Sequence, residues 1–272
     1  MPLNWGHRYL LCPAGHFGVL YEINPWMHRE VAADPARSME QWTNVRDTLV
    51  SAGAQVTSID PVQGLPDMVF TANAGVVWGE RFVPSRFRHA ERTGEEAYFK
   101  LWAHRAGFSV AELPGRPFFE GAGDALPFRG RIVAGYRTRS EFDAHTALAK
   151  VLDVEVLSVE LVDPRFYHLD LTFCPLDDEH ALVAPQARDS YGSEVVRSVV
   201  PKPIELTRDE ADLFCANSVV VDETIVMPAC PERLGAELAS IGLNVVVCPV
   251  DEFLKAGGGV RCMTLALDVE PS

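Results

Sequence analysis

The chain is short of positive charge: its 272 residues hold 24 Lys and Arg against 38 Asp and Glu, a formal charge of −14 with His neutral. Nucleic-acid binding rests on cationic side chains meeting phosphates, so the balance argues against that partner class. It argues against anionic membrane surfaces for the same reason. No run reaches the ~18 consecutive apolar residues that a membrane helix needs. The opening segment MPLNWGHRYLL has no apolar core of signal-peptide length and no small-residue cleavage site. The six cysteines (Cys12, Cys174, Cys215, Cys230, Cys248 and Cys262) are scattered and form no C-x-x-C pair. Neither a disulfide framework nor a zinc site is expected, and the expected setting is a cytoplasmic protein with reduced thiols.

What the chain does have is a globular composition, 47% hydrophobic and 23% charged. A fold of this length buries roughly 75% of its unfolded surface, so its core needs no covalent staple. It also has an internal repeat. Polar residues recur in similar apolar frames: Asn24 in EINPWM, Asn73 in FTANAGVV, Glu120 in FFEGAGDAL, His168 in YHLDLTF, Asn217 in FCANSVVV and Cys262 in VRCMTLAL. The successive spacings are 49, 47, 48, 49 and 45 residues. Such a period signals stacked or ringed modules.

After the polar frame comes an alternating apolar run, a polar turn and a second apolar run. GVVWGERFVP, ALPFRGRIVAGY, FCPLDDEHALVAP and SVVVDETIVMP read as hairpins. Helical segments are expected in RSMEQWTNVRDTLVSAG, ERTGEEAYFKLWAHRAG and PERLGAELASIG, each ending at a glycine stop. In the second of these, Ala97, Leu101 and Phe108, with Tyr98 and Trp102, are expected to form the apolar face. A β-rich run follows each helix. The unit is hairpin, helix, strand, repeated about five times. No polar capping repeat is evident and no Pro/Gly-rich linker separates the units. The expectation is one α/β domain over residues 1–272, a closed five-bladed α/β propeller.

In such a ring, equivalent positions face one axis. Asn73, Glu120, His168, Asn217 and Cys262 would then converge, gathering a thiol, an imidazole and a carboxylate. A thiol is a nucleophile as its thiolate, and Cys262 follows GGGVR, whose backbone amides and Arg261 favour that form. His168 can move protons near neutral pH. Glu120 and Asp170 supply negative charge, which suits a cationic carbon electrophile such as a guanidinium. Asp124 in GAGD reads equally as structural and as functional, and Asn217 reads as a turn residue. GAG and GGG do not match a phosphate-binding loop.

The order PDMVFTANAG, FFEGAGDAL, YHLDLTF and GGGVRCMTLAL resembles the guanidino-group modifying enzymes, over almost the whole chain. That resemblance implies a five-bladed α/β propeller, or pentein, working without metal or organic cofactor. Cys262 would be the nucleophile, His168 the general acid/base, and Glu120 the carboxylate that binds guanidinium and orients His168. Asp170 would be a second guanidinium-binding acid, as in deiminases and amidinotransferases. FTANAG places Asn73 where deiminases and dimethylarginine hydrolases carry an acid. With HFGVLYEINPWM it looks most like the arginine dihydrolase branch, which takes hydrolysis past citrulline to ornithine. There Asn24 lies in a loop near the substrate, and Arg92 and Arg137 are candidates for its α-carboxylate, with Arg86, Arg88 and Arg139 competing. Asp67, in the Asn73 frame, joins this substrate-binding set. The alternatives are a dimethylarginine dimethylaminohydrolase, a deiminase, an amidinotransferase and a non-catalytic propeller. The expected partner is a small cationic substrate, with homo-oligomerisation left open.

Overall fold

The computed structural model describes residues 3–270. β1 (Arg8–Leu11) and β2 (Gln55–Ser58) run parallel, joined through α1 (Pro35–Ser51). Asp34 starts α1 by accepting a bond from the Arg37 amide, with Pro35 preset for the first turn.

Four hairpin units follow. The first is β3 (Gly75–Trp78), β4 (Arg81–Pro84), α2 (Glu96–Arg105) and β5 (Ser109–Val110). The next is β6 (Ala125–Phe128), β7 (Arg131–Tyr136), α3 (Phe142–Leu152) and β8 (Val156–Glu160). Then come β9 (Phe173–Pro175), β10 (His180–Val183), α4 (Ser190–Val199) and β11 (Lys202–Glu205). A short α5 (Arg208–Asp212) leads to β12 (Val219–Val221), β13 (Thr224–Met227), α6 (Glu232–Ser240) and β14 (Asn244–Val247). The chain then passes through α7 (Asp251–Leu254) to β15 (Leu265–Ala266), which pairs antiparallel with β1.

Among the described residues the strands thus make five three-stranded sheets in a mixed α/β fold. In four of them the middle strand pairs antiparallel with its hairpin partner and in the first sheet β1 pairs antiparallel with β15, while in all five the middle strand runs parallel to the strand beyond the helix. The β6–β7 turn shows why the hairpins close so tightly. Arg129 and Gly130 both take left-handed backbone, which matches the twist of the flanking strands. Among the described residues no helix is long and apolar enough to cross a membrane.

Two expectations need correction. Asn24 does not begin a hairpin: it lies in the long β1–α1 loop, and the first sheet takes its leading strand from β15 instead. In α2 the buried face runs through Phe99 and Ala103, while Ala97, Tyr98 and Leu101 face solvent. The side of the helix that packs on β4 and β5 decides this, and Phe99, fully buried there, is worth about 2–3 kcal/mol. Two helices not singled out among the expected segments, α3 and α4, complete the pattern, with buried residues at helical spacing: Ala144, Ala147, Leu148 and Leu152 in α3, and Gly192, Val196 and Val199 in α4.

Candidate active site

Tight turns ahead of each hairpin carry the recurring polar residues. They lie in or beside the short helical turns Thr71–Ala74, Gly121–Gly123 and Leu169–Leu171, the Phe214–Asn217 turn and the turn around Cys262. These turns are joined in a cycle of hydrogen bonds. Asn73 Nδ2 donates to the Glu120 carbonyl at 3.3 Å, and His168 Nε2 meets Glu120 Oε2 at 2.8 Å. Asn217 Nδ2 donates to the Asp170 carbonyl at 3.2 Å, and the Cys262 amide donates to Asn217 Oδ1 at 3.2 Å. The Ala72 amide closes the cycle on the Cys262 carbonyl at 3.0 Å.

Beside this cycle lies a small cavity of about 10 Å³, lined among others by Asn24, Asp67, Asn73, Arg92, Arg139 and Cys262. Glycine makes room for it. A Cβ on Gly258 would run into the Phe70 ring, and one on Gly123 into the Asn73 amide.

Cys262 is buried, its Sγ 3.4 Å from Asp170 Oδ2 and 3.1 Å from Asn217 Nδ2. Burial first, and the Asp170 charge second, push its thiol well above the ordinary cysteine range. Burial likewise pushes Asp170 up to about 7, against the opposing pull of Arg261 and the bonds from Cys262 and Asn217. A cation placed beside the two groups would favour the charged form of each. Asp170 Oδ1 has no partner within the protein.

Glu120 is different. Burial opposes its ionisation, yet the Arg139 guanidinium and then His168 hold it well below the usual carboxylate range. Its Oε2 accepts from Arg139 Nη1 at 2.9 Å as well as from His168, so the His168 proton sits on Nε2. Asp124 is a positioning group. Its Oδ2 accepts from the Ser140 hydroxyl at 2.6 Å and its Oδ1 from the Leu169 amide at 3.1 Å, which pins the turn that carries His168. Burial, only partly offset by His168 and Ser140, pushes Asp124 up to about 6.

Arg92 is buried and heavily committed. Nε and Nη2 form a fork on Glu95, both at 2.8 Å, Nη2 also reaches the Asp67 carbonyl at 3.1 Å, and Nη1 donates to Asn73 Oδ1 at 2.8 Å. One N–H from Nε, two from Nη2 and one from Nη1 are used, leaving a single Nη1 hydrogen free of these bonds. Asp67 faces the cavity with Oδ1 unpartnered, and burial raises its carboxyl despite Arg92 nearby. Asn24 Nδ2 bonds the Ala256 carbonyl at 3.0 Å, holding the β1–α1 loop over the cavity.

Arg137 is the expected site residue that lies elsewhere. It is 57% exposed and ion-paired with Glu160 at 2.7 Å. The chain turns after β7, with the Arg137 amide on the Ser140 carbonyl, and Arg139 is the residue turned inward. Arg139 stacks on Tyr167 at 4.6 Å, donates to the Ile23 carbonyl at 2.9 Å and keeps its Nε unpartnered. Residue counting cannot separate two arginines two positions apart. Asn217 is the other surprise. Its place in the repeat is a signal that the sequence carries, and its direct contact with the sulfur is what a turn role does not foresee.

A buried thiol, imidazole and paired carboxylates around a small cavity are the furniture of an enzyme that attacks guanidino carbon. The N,N dimethylarginine dimethylhydrolase family, in its eukaryotic form, matches residues 23–269. The chain belongs to this family of guanidino-group modifying enzymes. It is 47% identical over 263 residues to the bifunctional arginine dihydrolase/ornithine cyclodeaminase ArgZ of Synechocystis sp., covering 95% of this chain and 37% of ArgZ. It thus spans little more than a third of that relative's length. A dimethylarginine dimethylaminohydrolase of Mycobacterium tuberculosis is 36% identical over 260 residues, 96% of this chain and 85% of that one. The solved N-terminal domain of ArgZ, an arginine dihydrolase bound to its substrate, superposes with a TM-score of 0.94 at 44% identity, over 97% of this chain and 99% of that one.

Proposed function

We propose that this chain is an arginine dihydrolase, converting arginine and two waters to ornithine, two ammonia and CO2. The observation that carries the reading is Asn73: a neutral amide, held by Arg92, lines the cavity where related sites have an acid. ArgZ supports it as a similar domain with that activity in its name. We also read the five sheets as blades of a closed ring, supported by the β15–β1 pairing and the cycle of bonded turns. The ring is one domain. The six free cysteines suit a reducing cytoplasm.

The substrate guanidinium enters between Glu120 and Asp170. It takes the place that Arg139 Nη1 holds on Glu120, and Arg139 is then free for the substrate α-carboxylate, joined by the remaining Arg92 N–H. Charge-assisted bonds of this kind are about twice as strong as neutral ones. The cation stabilises the Cys262 thiolate, which attacks the central carbon. His168 takes up the proton that Cys262 gives up and passes it to the departing ammonia, leaving a covalent thiouronium. His168 then takes a proton from water, which attacks the same carbon, displaces the sulfur and gives a ureido group. In the second cycle the Asn73 amide donates to the ureido oxygen, an acceptor that a carboxylate would repel. Asp67 and Asn24 complete the cavity wall.

The test is separate incubation with arginine, citrulline and dimethylarginine, products being identified by mass. Ornithine from arginine supports the reading. Citrulline alone makes the enzyme a deiminase, and release of methylated amine from dimethylarginine makes it a dimethylaminohydrolase. Product formation that requires an added amine marks an amidinotransferase.

A further inference from the structure

Asn217 lies fully buried in the turn before β12, one repeat ahead of Cys262. Three bonds fix its amide. The Cys262 backbone N–H, which can only donate, meets Oδ1 at 3.2 Å. The Asp170 carbonyl, which can only accept, meets Nδ2 at 3.2 Å. Both agree on the orientation, and the same Nδ2 lies 3.1 Å from Cys262 Sγ. A Cβ on Gly259 would come within 2.7 Å of Asn217 Oδ1, so the glycine run gives this amide its place.

We infer that Asn217 is a catalytic residue, whose side-chain N–H stabilises the Cys262 sulfur as it becomes a thiolate. The inference rests on Cys262 being the nucleophile. The groups around the sulfur show why such a donor is needed. Asp170 Oδ2 lies 3.4 Å away and its charge opposes negative charge on the sulfur. The Arg261 charge favours ionisation of Asp170. The Gly259 backbone bond and the Asn217 side chain are the groups that favour the thiolate from the protein side. The Asn217 donor is present before substrate binds and stays aligned through both hydrolytic cycles, because two further bonds hold it.

The test is the pH profile of Cys262 alkylation by a haloacetamidine, with the adduct mapped by mass, in the parent and in Asn217→Leu. Leucine keeps the volume and cannot donate. A hydrogen bond to a charged group is worth a factor of about 10–100, so the profile should move to higher pH by about one to two units. kcat should fall about 10–100-fold with KM nearly unchanged. Asn217→Ser, too short to reach the sulfur and easier to accommodate, should show the same shift. A folded variant with an unshifted profile overturns the inference, as does failure of both variants to fold, which would make the residue purely structural. Alkylation reads the free thiol and not the product. A shifted profile in an enzyme that forms no ornithine would therefore sink the dihydrolase reading and leave this one intact.

Discussion

Arg92 Nη1 donates to Asn73 Oδ1 at 2.8 Å, and this bond decides which end of the amide meets the reacting side. A guanidinium has no acceptor, so the oxygen must face Arg92 and the NH2 must face the Glu120 turn. Asn73→Asp would pair with Arg92 but lose that donor. A buried acceptor facing the ureido oxygen costs on the order of 1–3 kcal/mol, enough to suppress the second cycle. The expected outcome is a shift from ornithine towards citrulline, measured as their ratio at complete conversion of arginine.

The fork from Arg92 to Glu95 holds this arrangement in place. Glu95→Gln leaves Arg92 without its closest counter-charge. Breaking a buried pair costs on the order of 3–5 kcal/mol, so denaturant stability should fall accordingly. The product ratio should also move towards citrulline, because Asn73 loses its fixed orientation. An unchanged ratio in a destabilised variant would confine Glu95 to a structural role.

Cys262→Ser should stay folded and lose turnover, because a hydroxyl is a far weaker nucleophile near neutral pH and one heavy atom barely alters the packing. His168→Ala should lose at least the ~10²-fold typical of a positioned acid/base. Glu120→Gln should weaken capture of the cation and let His168 swing free. Steady-state kinetics on arginine check all three, and unchanged kcat/KM in any of them removes that residue from the site.

Asp170 gives a pH dependence with a definite sign. Its folded pKa, about 7, lies above the unfolded value of 3.8. Its favourable contribution to stability is thus fully present below about 4 and is lost as pH rises through about 7. Guanidinium capture runs the other way, since only the ionised form attracts the cation. kcat/KM for arginine should therefore fall on an acid limb near pH 7. Asp170→Asn should lose activity while gaining thermal stability at pH 8, on the order of 5 °C. Melting curves of both proteins at pH 5 and pH 8 check the sign.

Arg137 and Arg139 should respond oppositely. Arg137→Ala removes an exposed ion pair worth roughly 0–1 kcal/mol and should leave kinetics within about twofold. Arg139→Ala removes a buried guanidinium from Glu120 and from the cavity wall, and should raise KM for arginine at least about tenfold. Equal effects from the two would return Arg137 to the candidate set.

Local chemistry makes much of this molecule legible in its sequence. The period near 48 residues, the hairpin turns and the helix stops depend on residues close together in the chain. The same is true of the phase that sets Glu120, His168 and Cys262 at equivalent turns, so counting along the chain is enough to single them out. The β15–β1 pairing and the exposed side of α2 depend on surfaces brought together from distant segments. So does the choice of Arg139 over Arg137, which follows from one bend after β7. The contact of Asn217 with the Cys262 sulfur is the clearest case. Turn composition predicts an asparagine that satisfies its own backbone. Only the meeting of two turns 45 residues apart gives its amide a sulfur to face, because hydrogen bonds act over about 3 Å and sequence separation says nothing about that distance.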